Sequence, residues 1–116
     1  MSFDWEKFVD LADSIQQQTK TEEAFRTAIS RAYYGAFCKT RDLRGFNSYT
    51  KSDVHSKVIN QLKNSNDPDD IKIGQILDVL RMERNKADYE GDAYIDEGLS
   101  LRCIVKAKEI LKLLPN

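Results

Sequence analysis

The sequence predicts an all-α fold, an antiparallel bundle of four or five helices. Two observations carry that prediction. Apolar residues recur at steps of three and four along almost the whole chain, with no alternating strand pattern, and the intervening stretches are short and rich in turn-forming residues. Helices joined by short loops lie antiparallel to their neighbours, because a short connection cannot return the chain to its starting end. A chain of 116 residues is expected to form one domain spanning 1–116, with enough apolar content for a single core.

The first helix is predicted from Trp5, Phe8, Ala12 and Ile15, which line one side and leave Glu6, Lys7, Asp10 and Asp13 outside. A polar stretch from Gln16 to Lys20 leads to Thr21-Glu22-Glu23, where a hydroxyl and two carboxylates suit a helix N-terminus. The second helix should run to about Leu43 with a broad face of Phe25, Ala28, Ile29, Ala32, Tyr33, Ala36 and Phe37. Its alanines and Gly35 allow a neighbour to approach closely, so it is expected at the centre. Arg44-Gly45-Phe46-Asn47-Ser48-Tyr49 should reverse the chain. A third helix is expected from Ser52 or Asp53, burying Val54, Val58, Ile59 and Leu62.

Asn64 to Asp69 forms the clearest loop, with Asp67 placed to cap and Pro68 at the first helical position. The fourth helix carries the stripe Ile73, Ile76, Leu77, Leu80, Arg84 and Ala87 until Gly91 and Asp92 end it. The fifth, capped by Asp96, is expected to bury Leu99, Cys103, Val105, Ala107, Ile110, Leu111 and Leu114, with Pro115 closing it.

Eighteen basic against nineteen acidic residues give no global electrostatic case for nucleic acid or an anionic membrane, so any such site must be local. The apolar runs are too short to cross a bilayer, and the N-terminus carries acid where a signal peptide carries positive charge, so a cytoplasmic protein without membrane contact is expected. Cys38 and Cys103 sit inside helical patterns, without zinc or redox spacing, and read as core thiols. No metal-ligand spacing or nucleophile triad can be assembled. The dispersed Gly35, Gly45, Gly74, Gly91 and Gly98 form no phosphate loop, so neither a metal nor a cofactor is implied.

The informative break in the pattern is Arg84, a guanidinium on an apolar stripe. The plain reading pairs it with Asp88 one turn on, its stem buried and its head led outward. The sharper reading is an anion site or a subunit contact. Arg81, Asn85 and Asp88 share the adjacent face and Tyr89 follows Asn85 by one turn, so one helix end can present two guanidiniums, an amide, a carboxylate and a phenol. Arginine's planar fork of donors matches phosphate oxygens, which points to RNA or a nucleotide. Arg31 and Tyr34, with Ser30 alongside, join the same site if the second and fourth helices pack together. The lone histidine, His55, reads first as a surface residue and enters the site only if its helix packs beside the fourth.

Three stretches resemble the HEPN family of small helical bundles. Ala28-Ile29-Ser30-Arg31-Ala32-Tyr33-Tyr34-Gly35-Ala36-Phe37 is similar to the family's Arg-Ala-Tyr-Tyr-Ala-x-Phe helix. Val54-His55-Ser56-Lys57-Val58-Ile59 is similar to a following helix start with histidine. Arg81 to Tyr89 is similar to the Arg-x-x-Ala-Asp-Tyr form of the signature helix. The resemblance implies a homodimer with signature helices facing each other and, for many members, a metal-independent endoribonuclease of toxin or defence type, in some cases paired with a nucleotidyltransferase antitoxin that modifies a tyrosine. The family's ribonuclease motif sets a histidine a few residues after an arginine. Counting from Arg84 that position falls on Tyr89 or beyond, and from Arg81 on Lys86, Ala87 or Asp88, so the histidine is absent. On this footing Arg84, Asp88 and Tyr89 are the candidate catalytic residues and Arg81, Asn85, Arg31 and Tyr34 the candidate binding residues, with His55 as an accessory. A non-catalytic module keeping the cluster for recognition and dimerisation is the alternative.

Overall fold

A computed structural model describes residues 2–46 and 53–114, which form five helices: α1 (Glu6–Gln18), α2 (Glu22–Leu43), α3 (Val54–Lys63), α4 (Pro68–Tyr89) and α5 (Glu97–Leu113). Three starts follow from local chemistry. Thr21 accepts from the Ala24 N–H, Asp67 from that of Asp69 ahead of Pro68, and Asp96 from that of Leu99, each satisfying an N–H that has no partner within the helix. At the end of α2, Gly45 takes φ +79°, a conformation that a residue with a Cβ adopts only under strain. Asn47, Ser48 and Tyr49 of the expected turn, and Pro115, lie outside the described residues.

Cross-helix contacts fix the directions. Trp5 meets Asp42 and Lys39 meets Glu6, so α1 and α2 run antiparallel. Arg26 reaches Ala87 while Arg44 pairs with Asp70 at 2.7 Å, which sets α4 antiparallel to α2 along its full length. Lys63 pairs with Asp78 and Lys72 with Glu109, which ties α3 and α5 to α4. The second helix packs on α1, α4 and α5 and is the centre of the bundle, as its broad apolar face requires. Gly35 is where α1 comes closest: a Cβ there would sit 2.7 Å from Val9 Cγ2 and 2.9 Å from the Trp5 carbonyl oxygen.

The core joins Ile29, Tyr33 and Phe37 of α2 to Val58, Ile59 and Leu62 of α3, Ile73, Leu77 and Leu80 of α4, and Cys103, Ala107 and Ile110 of α5. Both thiols are buried, and burial pushes Cys103 up to about 12 and raises Cys38. Three expectations need correction. On α1 the buried strip is Val9, Ala12 and Gln16, while Trp5, Phe8 and Ile15 flank it half-buried, because the contact at Gly35 leaves room for only a narrow seam. On α5, Val105 is 65% exposed: next to buried Ile104 in the helix it is turned about 100° away from the core. Val54, Ile76, Leu99 and Leu111 pack on the core's edge rather than within it. Among the described residues no helix is long and apolar enough to cross a membrane.

Candidate functional site

Position 84 falls on the core side of α4 because the stripe Ile73, Leu77, Leu80 continues through it at helical spacing. A guanidinium there must find partners or lose hydration uncompensated. Arg84 is only 6% exposed, and its partners are mostly ring faces. Its guanidinium carbon lies 5.2 Å from the centroid of Tyr33, 5.1 Å from that of Tyr34 and 5.9 Å from that of Tyr89. The carboxylate of Asp88, one turn on, stands 3.8 Å from Nη1, a long ion pair. Its Nε is buried with no hydrogen-bond partner. The simple i to i+4 pairing therefore leaves the cation under-satisfied, and the site has an unmet donor.

The second helix delivers the rest because it packs on α4. Ser30, itself buried, donates to Asp88 at 3.2 Å, and the Arg31 Nη2 donates to the Ser30 hydroxyl at 3.4 Å. The Arg31 guanidinium lies 5.0 Å from the Phe8 ring and 5.3 Å from Tyr34. One ring, Tyr34, thus stands between two guanidiniums, and the structure brings Arg31, Tyr34, Arg84 and Asp88 together. Arg81 and Asn85 are half-buried on the adjoining face of α4. Tyr89 is 75% exposed at the rim. Beside Asp88 a shallow groove of about 440 Å³ runs between α2 and α4, lined by Glu23, Arg26, Thr27, Ser30, Arg31, Ala87 and Asp88.

The expectation that His55 is a surface residue is corrected. Packing of α3 on α4 turns its ring inward, where it stacks on Phe37 with centroids 4.3 Å apart, and its Nδ1 lies 2.7 Å from the Tyr33 hydroxyl. Burial, with the charges of Arg84, Arg81 and Arg41, pushes the imidazole down to about 4, so it is neutral near pH 7. Burial likewise drives the Tyr33 phenol well above its ordinary range, against the opposing pull of Arg81 and Arg84, so Tyr33 keeps its proton. Tyr33 and Phe37, expected on the apolar face of the second helix, are fully enclosed.

One residue of consequence escaped the sequence reading. Arg26 extends across to the end of α4 and donates to the carbonyls of Ala87, Glu90 and Ala93 while pairing with Glu22. The only local signal is its spacing of four from Glu22. A separate cleft of about 320 Å³ at the far end of α2, lined by Phe3, Trp5, Lys39, Asp42 and Leu43, offers less. There Lys39 is already paired with Glu6 and Asp42 already accepts from Trp5 and Arg41, so no unmet charge is left for a ligand. Among the described residues no group of three or more His, Cys, Asp or Glu side chains is placed to hold a metal ion. No protein-family model matches the chain, and neither does a curated protein or a solved structure.

Proposed function

We propose that this chain is a HEPN-like protein that recognises the phosphate of RNA or of a nucleotide at the C-terminal end of α4, as a toxin-type or defence component. The observation that carries this reading is the buried Arg84 with an Nε that nothing satisfies. A phosphate oxygen is the partner its planar donor fork fits best, and a buried guanidinium bonds it more strongly than an exposed one. Arg81 and Arg31 add positive charge, Asn85 can hold a ribose hydroxyl, and the exposed ring of Tyr89 offers a face on which a base can stack. The family-like segments support the same reading, since the Arg84–Tyr89 stretch ends α4 and the tyrosine pair of α2 packs against it.

Recognition is better supported than cleavage. Attack by a 2′-hydroxyl needs a group that accepts a proton near neutral pH. Asp88 is occupied by Ser30 and Arg84, and His55 is a weak base in the free protein. As an endoribonuclease the protein would act without metal, with Arg84 stabilising the phosphorane charge, Asp88 as a weak base and Tyr89 as a hydrogen-bond donor. A second reading, a non-catalytic module working with a nucleotidyltransferase antitoxin, draws on Tyr89: its phenol is three-quarters exposed and next to Arg84, where such an enzyme could reach it. Exposed Val79 and Met82 on α4 favour a homodimer through that helix.

The test is to incubate purified protein with total RNA and tRNA in the presence of chelator, comparing wild type with Arg84→Ala. Cutting that the variant loses supports the enzyme, and binding without cutting that the variant loses supports the module. If wild type neither binds nor cuts RNA or nucleotides, the phosphate reading is wrong.

A further inference from the structure

Tyr33 and Tyr34 share two cationic or basic partners, one from α3 and one from α4. The His55 ring lies 5.6 Å from Tyr33 and 5.9 Å from Tyr34, and the Arg84 guanidinium lies 5.2 Å and 5.1 Å from the same two rings. Imidazole and guanidinium therefore share one pair of phenols, and Phe37 stacks on the imidazole as well. We infer that His55 is a further residue of the anion site, taking on a proton more readily when phosphate occupies it, so that binding in acid takes up a proton.

The inference rests on the phosphate reading of the site and deepens it. Burial is the first cause of the depressed imidazole, and among the described residues the charges that add to it are cations: Arg84 and Arg81 from α4 and Arg41 from α2. At the start of its own helix the capping Asp53 and Lys57 pair with each other at 3.4 Å, and the facing phenol of Tyr33 keeps its proton. A phosphodiester placed against Arg84 and Arg81 offsets part of their repulsion, which moves the local field at His55 in the direction that favours its protonated form. Tyr33 supplies the means. Its hydroxyl keeps its proton and can donate to Nδ1 of the neutral ring, whose hydrogen is then on Nε2. When a solvent proton goes to Nδ1, the hydroxyl turns and accepts from it.

His55 is the only histidine in the chain, so its ring Cε1–H resonance in NMR reports this titration without ambiguity. Hexauridylate is the probe, because neither phosphodiesters nor uracil titrate in the acid range. The midpoint of the His55 titration is expected to rise by about one unit or more when hexauridylate saturates the protein. Hexauridylate affinity should then strengthen up to about tenfold as the pH falls below about 6, a gain reduced in His55→Gln. Binding that depends on Arg84 but leaves the His55 midpoint unmoved would overturn the coupling and leave the phosphate reading standing. Failure of hexauridylate to bind at neutral and acid pH would overturn both.

Discussion

The guanidinium of Arg26 on α2 closes the carbonyl end of α4, its Nη1 donating to the Ala87 oxygen at 2.9 Å while Nη2 reaches the carbonyls of Glu90 and Ala93. The last carbonyls of a helix have no partner within it, and a planar fork fixed by Glu22 satisfies several together. The same contact holds the turn of α4 that bears Asp88 and Tyr89. Arg26→Lys keeps the charge but loses the fork, and is expected to lower stability by about 1–3 kcal/mol. Hydrogen exchange should speed up from Lys86 to Ile95. Unchanged thermal unfolding with unchanged exchange would show that the carbonyl contacts hold nothing.

At Gly35 the prediction is steric. An added Cβ meets Val9 Cγ2 at 2.7 Å and the Trp5 carbonyl oxygen at 2.9 Å, and the second of these is backbone that cannot rotate away. Gly35→Ala should therefore cost about 1–3 kcal/mol despite the better helix propensity of alanine. Adding Val9→Ala should restore little of it. Urea denaturation measures both, and a Gly35→Ala protein as stable as wild type would mean that α1 is free to shift.

How much of this was legible in the sequence depends on how local each cause is. The caps at Thr21, Asp67 and Asp96 act within three residues of the chain, and all three could be read directly. Arg84 announced itself by breaking an apolar stripe. Val105 was misplaced because a run of apolar residues, Cys103 to Val105, fits more than one helix face, and only packing against α4 and α2 selects among them. The inward turn of His55 depends on a hydroxyl 22 residues away in sequence, and the reach of Arg26 on carbonyls about 60 residues away. Spacing rules describe neighbours on one helix and carry no information about contacts of that kind.

Arg84 itself separates function from stability. A buried charge with an unmet donor is a poor contributor to folding, and an unbranched apolar chain of similar length can take its place against Tyr33 and Tyr34. Arg84→Met should unfold no more readily than wild type, yet lose at least about tenfold in hexauridylate affinity, equivalent to about 1.4 kcal/mol. Asp88 stays satisfied at the surface through Ser30. A variant that is strongly destabilised but binds as before would make Arg84 a structural residue.

Acid should weaken the fold through His55. The imidazole is pushed down to about 4 in the folded chain, against about 6.5 when unfolded, so between these values the unfolded chain binds the extra proton. Stability from this group is then fully present above about pH 6.5 and is lost as the pH falls towards about 4. Urea midpoints measured across that window should decline in wild type, and His55→Gln should flatten the upper part, before carboxylates begin to titrate. A wild-type midpoint independent of pH between about 6.5 and about 5, or an identical slope in the variant, would show that His55 is not held neutral by the rings and guanidiniums around it.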